Sequence, residues 1–180
     1  MQKMTHTTMR FSIFIILIFQ SILMFGQTIT DSERKKIETD VNKLVEVKKI
    51  EYSKSIIPDE ELAIDTFIIE ETQRSIFNRD YSTFGMVEAM NEAEVRYDIL
   101  LNKYYKRLLD MLLVDDKEKL KEAQRSWIKF RDTELVLAGT MGKEEYDRGG
   151  TIEKIIFAGY KLELTKTRLF QIHRLLTQKT

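Results

Sequence analysis

The chain has 180 residues, with 29 Lys and Arg balanced by 29 Asp and Glu, and no cysteine. Zero formal charge excludes the basic excess that nucleic-acid binding demands. The missing cysteines exclude thiol nucleophiles, thiolate metal sites and disulfide staples, so stability has to come from a packed core.

Lys3 and Arg10 precede an apolar run from Phe11 to Phe25 that is broken only by Ser12, Gln20 and Ser21. A membrane-spanning helix needs about 20 apolar residues, and this run is shorter. A basic start followed by a short apolar run reads as a secretory signal, with a cut expected near Gly26. The remainder is then expected in the periplasm or outside the cell. With no Cys after Gly26, a lipoprotein anchor is excluded, and no later segment has spanning length. Removing residues 1–26 leaves 154 residues with 27 basic and 29 acidic groups. That is enough for one domain burying about two-thirds of its unfolded surface.

One proline and few glycines favour long helices. From Asp31 to Lys54, Ile37, Val41, Leu44, Val47 and Ile50 recur at steps of three and four amid Lys and Glu, which predicts an amphipathic helix. Ile57-Pro58-Asp59 ends it, and Pro58 suits the first turn of the next. Glu60 to Phe77 is read as that helix, although Leu62 to Ile69 also alternates as a strand would. Asn78 to Gly85 is rich in turn formers and forms a connector. Met86 to Leu113 follows as a long helix with Leu101, Tyr105, Leu108 and Leu112 on one face. Asp115 and Glu118 make a capping-box pattern that starts a further helix near Asp116, running to about Ala138. The segment from Gly139 to Gly150 (GTMGKEEYDRGG) holds four glycines. The last helix, Thr151 to about Gln178, aligns Leu162, Thr165, Leu169, Ile172 and Leu176. The expected fold is an all-α antiparallel bundle of three long C-terminal helices plus one or two N-terminal helices.

On the Asp116–Ala138 helix, Leu120, Gln124, Trp127, Ile128, Arg131, Leu135 and Ala138 share one stripe. An amide and a guanidinium among apolar neighbours must find partners or cost several kcal/mol in desolvation, roughly. Asp98 lies on the Leu101 face of its helix, and Thr165 with Arg168 marks the last helix. These positions predict a polar network in which Asp98 pairs with Arg131 or Arg168, and Gln124 and Thr165 complete it. The network sits beside a core of Leu101, Tyr105 and a central Trp127. Its two readings are a binding site and an ion pair that fixes helix register. If the pair is buried, Arg131→Ala or Asp98→Ala is expected to cost about 3–5 kcal/mol.

Catalytic chemistry finds little support. After residue 26 the one histidine is His173, expected either to be solvated or to sit at the edge of the apolar stripe, so histidine triads and multi-histidine metal sites have no basis. No cofactor motif is present, because no strand precedes the glycines. Glu144, Glu145, Asp147, Arg148, Gly149 and Gly150 form a charged loop, which is either solvated or a partner contact.

Asp98-x-x-Leu101-Asn102-x-x-Tyr105-x-x-Leu108-Leu109, followed by Ala123-Gln124-Arg125-x-Trp127-Ile128-x-Phe130-Arg131-Asp132, closely resembles the LprI-type lysozyme-inhibitor family. The resemblance continues through Gly149-Gly150-Thr151 and Leu164-Thr165-x-x-Arg168, with Ser82-Thr83-x-x-Met86 as a lead-in. It adds Asn102 and Asp132 to the polar network. It implies a helical domain over residues 80–178 preceded by a helical extension, 27–79, that the family does not cover. Family members are exported bacterial helical domains, and inhibition of lysozyme is attached to few of them. They usually carry cysteines where this chain has Ala89, Leu135 and Tyr160, so an apolar contact would replace a covalent clamp here.

These readings converge on an exported, non-enzymatic binding domain whose partner is a protein, with a muramidase as one candidate and the Glu144–Gly150 loop as its contact. The alternative is a structural or assembly factor of the bacterial envelope that docks through residues 31–77. An enzyme acting on wall glycans is the third reading, and it lacks an acid/base pair.

Overall fold

A computed structural model describes residues 29–55, 59–146 and 148–178. The expected signal segment lies outside the described residues, as do Pro58 and Asp147. Among the described residues the fold is all-α: α1 (Asp31–Tyr52), α2 (Glu60–Phe77), α3 (Thr83–Met111), α4 (Val114–Met141), a 3₁₀ turn (Glu144–Tyr146) and α5 (Gly150–Thr177).

The caps explain most of the boundaries. Thr30 and Glu33 form a reciprocal capping box, with Thr30 N donating to Glu33 Oε2 at 2.8 Å. Asp59 accepts from Leu62 N at 2.9 Å and starts α2 at Glu60. Ser82 accepts from Gly85 N at 3.0 Å, which starts α3 at Thr83, inside the expected connector. Gly85 is buried there, where a Cβ would overlap the Asp80 side chain. The Asp115–Glu118 box does not form. Helix α4 begins two residues earlier, behind Leu113, with no side-chain cap.

Helix α3 packs most closely on α5, with α2 on a second side of α3 and α1 on α2. Small residues on α5, the buried Ala158 and the neighbouring Gly159, let it approach α3. A Cβ at Gly159 would sit 3.8 Å from Met90 Sδ. The main core joins Leu62 and Ile69 of α2, Leu101, Tyr104 and Leu108 of α3, Leu120 of α4, and Leu169 and Ile172 of α5. A second cluster joins Ile29, Ile37, Val41 and Val45 to Ile76 and Ala89.

Two expected apolar stripes need correction. On α1 the buried line is Ile37, Val41 and Val45, whereas Leu44, Val47 and Ile50 are exposed. Steps of four advance 40° around a helix and steps of three fall back 60°, so the two halves of the sequence stripe diverge and α2 covers only one. On α4 only Leu120 is buried. Gln124, Trp127, Arg131, Leu135 and Ala138 are half-buried and Ile128 is exposed, because α4 lies against α5 by one flank. The central aromatics are Tyr97 and Tyr104 of α3, and Trp127 packs at the core's edge.

His173 sits half-buried at the edge of the core, not in solvent. Its Nε2 lies 2.9 Å from the Asp59 carboxylate that caps α2, and its ring meets Tyr104 edge-on at 5.4 Å.

Helix α1 is tied down by charge as well as by apolar contact. Glu92 on α3 accepts from Arg34 of α1 at 2.7 Å and from Arg96 at 2.8 Å. Burial is the largest single influence on Glu92 and raises its pKa, but the two guanidinium groups together hold it below the ordinary 4.5. A carboxyl whose pKa is lower folded than unfolded stabilises the fold above its unfolded value, and that stability is lost as pH falls through the folded value. The urea midpoint should therefore drop as pH is taken from 6 to about 3, and Glu92→Gln should show a smaller drop.

The Tyr104 hydroxyl is buried with no hydrogen-bond partner among the described residues, and burial pushes its pKa up to about 12. The Tyr97 hydroxyl instead donates to Glu70 at 3.1 Å. Deleting an unsatisfied hydroxyl is neutral or favourable, whereas deleting a bonded one costs about 1 kcal/mol. Tyr104→Phe should hold or raise the urea midpoint, and Tyr97→Phe should lower it.

Candidate functional site

Two regions gather the polar residues that the sequence singles out. The first is the end of the bundle where α4 runs into the glycine-rich loop. Gly149 has φ +111° and Gly150 φ +76°, values that a side chain would strain. A Cβ on Gly149 would also lie 2.7 Å from Glu144 Cγ, so the loop folds back on itself there. That fold-back presents Glu144, Glu145 and Arg148 to solvent. Beside it opens a cleft of about 740 Å³, walled by Val87, Ala138, Met141, Ile156 and Phe157, with Arg148 and Glu153 at its edge. Of the six expected loop residues, Arg148, Gly149 and Gly150 line the cleft, and Glu144 and Glu145 stand next to it.

The second region is the junction of α3, α4 and α5. The expected single network is divided into separate pairs. Gln124 Oε1 accepts from Arg168 Nε at 3.0 Å. Arg131 pairs with Asp132, its neighbour in sequence, at 2.9 Å, rather than with Asp98. The Asn102 amide donates to the Asp98 carboxylate at 3.0 Å. Thr165, fully buried, donates to Glu94 at 3.1 Å. Asp98 and Arg131 do line one cleft of about 410 Å³ between α3 and α4. They stay apart because α4 packs on α5 and diverges from α3. Trp127 lies between Arg131 and Arg168, whose guanidinium carbons are 5.3 and 5.8 Å from its ring.

Glu94 is the residue that the sequence reading missed. It is 5% exposed, accepts from Thr165 and pairs with Lys161 at 2.8 Å, which makes it the buried charged residue among the described residues. Its signal was its register: Glu94 precedes Leu101 by one heptad and Asp98 by one turn, on the face that meets α5.

At the positions where the resemblance implies cysteines, Ala89 is buried and Leu135 is half-buried. Tyr160 of α5 reaches α4 through its hydroxyl, which donates to Glu134 at 2.7 Å. That bond raises the phenol pKa. A hydrogen bond one residue from Leu135 thus ties the two helices together here.

These contacts reorder the expected cost of mutation. Lys161→Met would strand a buried carboxylate and should cost about 3 kcal/mol or more in urea unfolding. Arg131→Ala removes a pair with an exposed carboxylate and a contact with Trp127, and should cost only about 1–2 kcal/mol. That is below the range expected for a buried Asp98–Arg131 pair.

Comparison with known proteins agrees with the motif. The family described as Lysozyme inhibitor LprI matches residues 78–172, which runs from the end of α2 to the buried Ile172 of α5. Uncharacterized protein R02472 of Rhizobium meliloti (strain 1021) is 33% identical over 44% of this chain and 63% of its own length. The match thus spans less than two-thirds of that relative. No solved structure matches the chain. With more than half of its length matched, including the α3, α4 and α5 residues described above, the chain belongs to the LprI lysozyme-inhibitor family.

Proposed function

We propose that this protein is an exported, non-catalytic binding domain that inhibits a muramidase, acting in the periplasm or outside the cell once residues 1–26 are removed. In this reading residues 80–178 form the inhibitory domain and residues 27–79 a helical extension. The observation that carries it is the pairing of family membership with the loop end of the bundle, where exposed carboxylates border an apolar cleft. Lysozymes are often cationic. Glu144 and Glu145 would attract and orient such a partner, and the apolar wall of Met141, Ile156 and Phe157 would supply buried area on contact.

The purified protein, added in micromolar excess, should slow the clearing of a cell-wall suspension by lysozyme. Reversing the two charges, Glu144→Lys with Glu145→Lys, should weaken inhibition roughly tenfold at low salt and leave the thermal midpoint unchanged. Unslowed lysis with the folded protein would remove the inhibitor reading.

A second reading, an assembly factor of the bacterial envelope, draws on α1. Leu44, Val47 and Ile50 are apolar residues of α1 left exposed beside and beyond the buried line of Ile37, Val41 and Val45. A monomer in solution that recovers no envelope protein by pull-down would count against that role.

A further inference from the structure

Arg168 is half-buried in the α4–α5 junction and has no carboxylate partner among the described residues. Its Nε donates to Gln124 Oε1 at 3.0 Å, its Nη1 donates to Gln171 Oε1 at 3.3 Å, and its third nitrogen, Nη2, makes no hydrogen bond there. Burial lowers the Arg168 pKa with no acid acting in the opposite direction. A guanidinium remains charged even so, and leaving it desolvated without a counter-ion is unfavourable. The ring of Trp127 meets the charge at 5.8 Å and offsets part of that cost.

We propose that Arg168, with Gln124 and Gln171, forms a binding site for a carboxylate group. Both glutamine oxygens already accept from Arg168, so their amide N–H groups are left to donate outward. A planar carboxylate would take Nη2 on one oxygen and an amide on the other. The charge favours a carboxylate over phosphate, because the site has one uncompensated positive charge and Arg131 is already matched by Asp132. The carboxylate would come either from a peptide chain or from a sugar acid. The site is separate from the acidic loop and does not depend on the muramidase reading.

Trp127 is the chain's one tryptophan, so its emission reports directly on this site. The purified protein would be titrated with N-acetylglycine, N-acetylmuramic acid, sodium phosphate and sodium chloride at matched ionic strength. A saturable change in Trp127 fluorescence with a carboxylate, absent with chloride, is expected. Arg168→Gln should weaken it by at least about tenfold. The tighter of the two carboxylates identifies the source as peptide or sugar acid. A flat response to both carboxylates, tighter binding of phosphate than of either, or unchanged affinity in Arg168→Gln would overturn the assignment. If Arg168→Gln loses its helical circular dichroism, Arg168→Lys replaces it, keeping the charge but not the planar fork. Unchanged affinity in that variant would overturn the proposal equally.

Discussion

The close packing of α3 on α5 is the constraint from which the rest of the molecule follows. A buried alanine and a glycine of α5, Ala158 and Gly159, let the backbones approach at one end of the pair, and Leu101, Leu169 and Ile172 fill the space at the other. Between them lies the buried contact of Thr165 with Glu94, whose charge Lys161 matches from α5. A carboxylate so placed is tolerated only with its partners in register, so the polar contact fixes how the two helices align while the apolar residues supply the burial. Helix α2 then covers a second side of α3, and α1 covers α2.

Helix α4 is held differently. It buries one residue fully and leans on α5 through Trp127, the Gln124–Arg168 bond and the Tyr160–Glu134 bond. These are polar or half-exposed contacts, each worth far less than a packed core helix provides. The chain has no cysteine, so the α4–α5 contact near Leu135 is tied by the hydrogen bond of Tyr160 with Glu134 and not by a covalent bridge. The same peripheral placement leaves Arg131 short of Asp98, opens a cleft between α3 and α4, and leaves Arg168 with amides instead of an acid.

Much of this was legible from residue spacing. The five helices, the buried line Thr165–Leu169–Ile172 and the loop glycines follow from local rules: periodicity, capping and the need for positive φ. The motif around Trp127 identified the family before any geometry was known. Polar residues on core-facing stripes need not meet one another. Asp98, Arg131 and Arg168 do lie on inward or half-inward faces, yet each found a nearer partner on its own helix or across a different interface. The true buried acid, Glu94, was not singled out, because a glutamate among Asn91, Glu92 and Arg96 reads as part of a solvated face.

The sequence by itself determined the helices, their order, the family and the absence of thiol chemistry, since these depend on interactions within a few residues or on composition. Only the tertiary structure decided which flank of each helix is covered and which charges meet. Stripes on α1 and α4 are wide enough to pack in more than one rotation. The choice is made by the partner surface, through the small residues that bring α5 close to α3 and the divergence that leaves α4 leaning mainly on α5. A rotation of one residue position carries a side chain 100° around a helix, which separates a buried ion pair from an arginine awaiting an anion.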